Sequence, residues 1–190
     1  MSSIIKVNEI QDGGGNTILS SDGSGTVTQT RTGITNVQSF QLTADTLMNG
    51  NPSFVTSNIG SNSSNTYADK GTIVSQSSGV FSFSATGYYQ VSFSAMIDAS
   101  TTPDTFSVEI QTTNDNSTYN IAAMQTCEVP SGSNDKDPVY ITAFVNVDDT
   151  TNVKVKFSLG QDNGVSSTYL RGNASQPETV FNFIRLGDSV

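Results

Sequence analysis

Few side chains in this sequence can do chemistry, and their spacing narrows the choice further. There is no histidine among the 190 residues. That removes histidine-activated nucleophiles, histidine general bases and most catalytic zinc sites. The single cysteine, Cys127, can neither build a thiolate cage nor staple its own chain. No cation flanks it, and Glu128 beside it opposes a thiolate, so it reads as a small apolar residue. Paired carboxylates could hydrolyse a glycosidic bond. The one adjacent acidic pair, Asp148-Asp149, falls where a hairpin turn is expected, and its side chains diverge. Asn114-Asp115-Asn116-Ser117 and Asp162-Asn163 offer hard oxygens to calcium, but neither has the spacing of a calcium loop, so both read as turns. Gly13-Gly14-Gly15-Asn16 lacks the lysine and serine of a phosphate loop. Lys154 and Lys156 share one strand face and read as a solvent or edge face. The expectation is a protein that is not an enzyme and has no cofactor or metal. A glycan-degrading enzyme would need two carboxylates facing each other across a groove, which spacing alone does not reveal.

The elements that would carry these residues are strands. Charged residues are only 13% of the chain, and Ser, Thr, Asn and Gly dominate the rest. Such residues compete with helical hydrogen bonds and suit strands and turns. The net charge of −9 repels phosphate, so neither nucleic acid nor an anionic membrane surface is an expected partner. The first ten residues have no signal-peptide core, and no run approaches the roughly 20 apolar residues that span a bilayer. Synthesis in a cytoplasm is expected.

Alternation is clearest from residue 80 onward. Phe81, Phe83 and Ala85 point one way against Ser82, Ser84 and Thr86; after Gly87, Tyr89, Val91, Phe93, Ala95 and Ile97 alternate with polar residues. Two half-buried antiparallel strands joined by a tight turn follow. Further strands are expected at 106–111, 119–127, 139–147, 153–159 and 179–186, with loops at 60–71, 129–138 and 160–177. Residues 35–60 read as a strand and a turn at Asn49-Gly50-Asn51-Pro52, with a short helix at Thr43–Met48 as the alternative.

Residues 1–34 form an arm of short apolar pieces separated by glycine-rich turns, and residues 35–190 one sandwich domain. So small an arm cannot order itself alone. Ile5, Val7, Ile10, Ile18 and Leu19 are its candidate docking residues, against its own copies around a threefold axis or a partner surface. The strands at 139–147 and 179–186 are apolar on both faces. One face of a sandwich strand meets the core, so the other needs a second subunit. Tyr88, Tyr89, Tyr140, Phe144, Phe181 and Phe183 are candidates for core plus subunit interface, not apportioned between the two.

The run Gly79-Val-Phe-Ser-Phe-Ser-Ala-Thr-Gly-Tyr-Tyr-Gln-Val-Ser-Phe resembles the strand pair of the tumour necrosis factor and complement-head superfamily. Phe81, Gly87 and Tyr89 match its phenylalanine, glycine and tyrosine, and Val91 stands where phenylalanine is frequent. Val108-Glu-Ile-Gln with Asn114, and Asn152-Val-Lys-Val, resemble later strands. Thr179-Val-Phe-Asn-Phe-Ile-Arg-Leu resembles the closing motif, with Phe183 in place of its glycine. The resemblance spans about residues 72–188 and implies an all-β antiparallel jelly-roll sandwich packed as a homotrimer. No collagen-like stalk is present. The segment from Ile5-Lys-Val-Asn-Glu-Ile to Ser-Asp-Gly-Ser-Gly-Thr-Val-Thr is similar to the opening of many tailed-phage virion proteins.

Together these imply a bacteriophage structural protein on the outer surface of the virion. It would be a capsid decoration (cement) protein or short head fibre, anchored through its arm to the major capsid protein or another virion protein. The alternative is the receptor-binding tip of a tail fibre. That would hold a host surface glycan in the loops 60–71, 129–138 and 160–177, where Tyr67 and Tyr169 are the available aromatics.

Overall fold

In the computed structural model, residues 8–24, 27–29, 34, 36–62, 69–99, 104–129, 136–161 and 168–189 are described. Two compact units divide the chain, Met1–Gly33 and Ile34–Val190.

The first unit is a three-stranded antiparallel sheet, β1 (Glu9–Gln11), β2 (Thr17–Ser21) and β3 (Val27–Gln29), in sequence order. Ile10 lies opposite Leu19 across the first pair. The Asp12 carboxylate closes the intervening turn, accepting from the Gly14 and Asn16 backbone N–H groups at 2.8 and 2.9 Å. Gly15 takes the positive φ of 83° that this turn demands. Ile10 and Ile18 are exposed and Leu19 is half-buried; Ile5 and Val7 lie outside the described residues.

The second unit is a sandwich of β4 (Asn36–Leu42), β5 (Ala44–Met48), β6 (Ser53–Phe54), β7 (Ile59–Ser61), β8 (Val74–Ser77), β9 (Val80–Phe83), β10 (Gly87–Ala99), β11 (Asp104–Thr113), β12 (Asn120–Val129), β13 (Lys136–Val147), β14 (Lys154–Gln161), β15 (Thr168–Asn173) and β16 (Val180–Gly187). One sheet runs β13–β10–β16–β4–β7, with β15 and β5 continuing beside the far end of β10. The other runs β12–β11–β14–β9–β8, with β6 on β14. From β9 to β11 successive strands change sheet, and so do β12, β13 and β14, so every pairing in the first sheet is antiparallel and non-local. This is a jelly roll.

The core follows from strand alternation. Tyr89, Val91, Phe93, Ala95 and Ile97 of β10 are buried, opposed across the sandwich by Phe106, Val108 and Ile110 of β11. Phenylalanines lock the layers together: Phe157–Phe181 at 4.7 Å between centroids, Phe81–Phe157 and Phe81–Phe183 at 5.1 Å. Tyr89 is wholly buried, yet its hydroxyl donates to the Ala85 carbonyl at 2.8 Å, so no polar atom is stranded.

Several sequence expectations change. The 43–48 segment is strand β5, not helix, because Thr46 and Met48 alternate inward against β15. The loop at 160–177 contains strand β15. Pro138 belongs to β13, opposite Met96. Ala85 is exposed in the turn after β9, since the alternation ends at Phe83. Phe183, where the closing motif has glycine, packs on Phe81, Phe83 and Phe40 inside the sandwich.

Candidate functional site

The six aromatic candidates divide cleanly. Tyr89, Phe181 and Phe183 are core, not interface, because the inward side of β10 and β16 is sealed by the other sheet. Tyr140 and Phe144 are not core. They stand on the outward side of β13, 56% and 66% exposed, while Val139, Ile141, Ala143 and Val145 between them are buried. Tyr88 is half-buried on the outward side of β10.

Their setting depends on where β13 lies. It pairs with β10 on one side and has no ladder partner on the other among the described residues. β12 is likewise the edge of the second sheet, pairing with β11 alone. The two edge strands run beside each other along one open flank of the sandwich. On its own outward side β12 carries Ile121 and Met124, 53% and 54% exposed, opposite Gln111 and Glu109. The two edge strands thus expose four large apolar side chains, Tyr140 and Phe144 on the outward side of one sheet and Ile121 and Met124 on the outward side of the other. Beside the aromatic pair, Ser94, Gln90, Ser92, Thr142 and Asn182 make a floor of short polar side chains on the first sheet, with Asn182 Nδ2 donating to Ser92 Oγ at 3.4 Å.

At one end of the flank a pocket of about 320 Å³ opens, walled by Phe144, Asn146 and Asp148 on one side and Thr112, Asn114 and Asn120 on the other. Two turns frame it. Asp115 closes the β11–β12 turn, accepting from Thr113 Oγ1, the Ser117 N–H and the Thr118 N–H at 2.7–2.8 Å. These bonds, the Thr118 N–H above all, hold its carboxyl well below the ordinary carboxylate range. Asp149 closes the β13–β14 turn, accepting from the Thr151 N–H at 2.7 Å and Asn152 Nδ2 at 2.6 Å; its pKa is lowered, chiefly by Thr151. The Asn116 N–H donates to the Asn152 carbonyl at 3.1 Å and ties one turn to the other.

The other chemistry-bearing residues are occupied structurally. Asp148 is exposed while Asp149 braces the turn, so the acidic pair does not converge. Lys154 Nζ caps the Thr150 carbonyl at 2.6 Å. Lys156 Nζ sits 4.0 Å from the Tyr119 ring centroid and 5.4 Å from that of Phe54, held by cation–π attraction rather than solvated. Burial pushes the Cys127 thiol up to about 11, with Asp137 rather than neighbouring Glu128 as the contributing charge. Tyr169 is half-buried on β15, while Tyr67 and Asp162-Asn163 lie outside the described residues. Among the described residues no cluster of three His, Cys, Asp or Glu could hold a metal ion, and no helix is long and apolar enough to cross a membrane.

Two polar clusters escaped the sequence reading. Glu109 is buried on the outward side of the second sheet, accepting from Gln111 Nε2 and Ser158 Oγ at 2.7 Å and from Ser107 Oγ at 3.2 Å. Arg171 pairs with Asp45, with Asp98 at 3.6 Å and with Glu178 at 3.7 Å. Alternation does place Glu109 outward, but not beside Ser158 of β14, whose hydroxyl, with that of Ser107 and the Gln111 amide, satisfies it.

No protein-family model matches the sequence, and no curated protein matches it. Solved structures do. Eiger TNF from S. frugiperda superposes with a TM-score of 0.55 at 14% identity, over 82% of this chain and 94% of that one. Murine APRIL superposes with a TM-score of 0.51 at 12% identity, over 80% of this chain and 98% of that one. At such identity the likeness is one of fold, and the chain has the all-β antiparallel jelly-roll fold of these tumour-necrosis-factor-like structures.

Proposed function

We propose that this protein is a non-enzymatic structural component of a tailed-phage virion: a homotrimer on the outer capsid surface, acting as a decoration protein or short head fibre and anchored by its N-terminal arm. The observation that carries the reading is the apolar flank. The exposed aromatic pair Tyr140 and Phe144 on one face of the edge strand β13 is costly in water and useful in an interface. The aromatic pair of one copy differs from the polar floor beside it, so contact between the two is head-to-tail, a mode that gives a ring when its rotation closes. A ring of three would present three arms together. Weak contacts from Ile10, Ile18 and Leu19 would then multiply by avidity on a repeating shell. The phage setting is supported by the likeness of the opening segment to virion proteins, and a binding role by the acidic pair Asp148-Asp149, which does not converge.

Light scattering tests the assembly. The expected mass is three times 20.1 kDa, and Tyr140→Ser with Phe144→Ser should return the single-chain mass. Removing residues 1–34 should leave the trimer intact while abolishing saturable binding to phage-like shells. A single-chain mass at every concentration would overturn the assembly. A trimer that ignores shells but adheres to host cells would replace decoration with the receptor-binding reading.

A further inference from the structure

The geometry points to the pocket between the β11–β12 turn and the end of β13 as a binding site for one neutral sugar ring. Its volume of about 320 Å³ is at the small end of ligand pockets and holds a single ring rather than a chain. The wall formed by Phe144 is an exposed aromatic face, which can take the C–H side of a pyranose. Around it the polar groups are mostly amides. Asn114 and Asn120 can each donate and accept, as a sugar hydroxyl does, Asn146 lines the wall beside them, and Asp148 adds an acceptor.

What sets these four apart is that their side chains make no hydrogen bond to any described residue. Their neighbours Thr113, Asp115, Asp149 and Asn152 spend theirs inside the turns. The frame is thus braced by its own bonds while the groups aimed at the pocket keep theirs unused. The braced turns fix the backbone that carries these groups, and their free hydrogen-bonding capacity is available to a ligand.

Charge selects the class of ligand. Among the described residues no Lys or Arg lines the pocket, Asp148 does, and the chain carries −9. Phosphate, sulfate and acidic sugars are repelled. The pocket is built by one chain, but Phe144 is shared with the apolar flank, so a sugar and a neighbouring copy would compete for that ring.

Nuclear magnetic resonance of the ¹⁵N-labelled full chain tests this, with D-glucose, D-galactose, D-mannose and N-acetyl-D-glucosamine as probes. At least one should shift the side-chain amide signals of Asn114 and Asn120, saturating in roughly the millimolar range typical of a small site. Asn120→Ala and Asp148→Ala should each weaken that sugar about tenfold, with the scattering mass and melting temperature unchanged. Three results would overturn the assignment: none of the four sugars shifts these signals, the shifts survive both substitutions, or inorganic phosphate produces them equally well. Because the variants avoid Tyr140 and Phe144, loss of sugar binding and loss of assembly are read separately.

Discussion

Strands β13 and β16 carry similar sequences and meet different fates. Both alternate large apolar residues with others that are also apolar or aromatic. β16 lies inside its sheet, between β10 and β4, and its outward Val180, Asn182 and Ile184 are half-buried there, while Leu186, beyond the last pairing with β4, is exposed. β13 lies at the margin, and its outward Tyr140 and Phe144 stand in solvent. Apolar character on both faces thus does not say whether a strand needs a partner; its place in the sheet does.

The widest gap between the two strands should appear on truncation. Phe181→Ala removes a fully buried ring that contacts Phe81, Phe93 and Phe157, and should cost about 3–5 kcal/mol in urea unfolding. If it costs no more than an outward substitution on β13, the two strands are not distinct in the way described. A smaller difference lies in the turns. β13 runs into the Asp149 turn, whose carboxylate has a lowered folded-state pKa. Its contribution is therefore present above the unfolded value near 3.8 and fades as the pH falls through the folded one. Asp149→Ala should lower stability at neutral pH and flatten its loss below about pH 4, as followed by melting temperature against pH. An undiminished acid limb would shift the cause to Asp115 and Asp12, whose carboxyls are held down in the same way. The smallest effect belongs to Tyr140→Ser measured in the dissociated chain, where stability should change by no more than about 0.5 kcal/mol. A larger loss would mean that the outward face of β13 supports the fold itself.

How far the sequence could be read depends on the range of the signal. Alternation at Phe81–Phe83 and Tyr89–Ile97 is local, so β9 and β10 were legible, and so was the all-β class. The sorting of the aromatics was not. Phe144 and Phe183 sit in comparable runs, and only the strand order, fixed by contacts between distant residues, makes one strand an edge and the other interior. The pocket was hidden for the same reason. Asn114 and Asp148 lie in two turns far apart in sequence, joined by the bond from Asn116 to Asn152. β5 was obscured because Ala44–Met48 places Thr46 inside and Leu47 outside, reversing the polarity that alternation assumes.

The open margin of β13 carries a last consequence, for a chain in which that margin stays uncovered. An unpaired strand edge is a template on which another chain can add and begin a fibril. Pro138 lies within this strand and has no N–H to offer, and exposed Lys136 stands at its start. Pairing that spreads along the margin from Val147 must stop where proline interrupts the row of donors. The same strand that displays two aromatic rings thus carries its own guard against cross-β stacking.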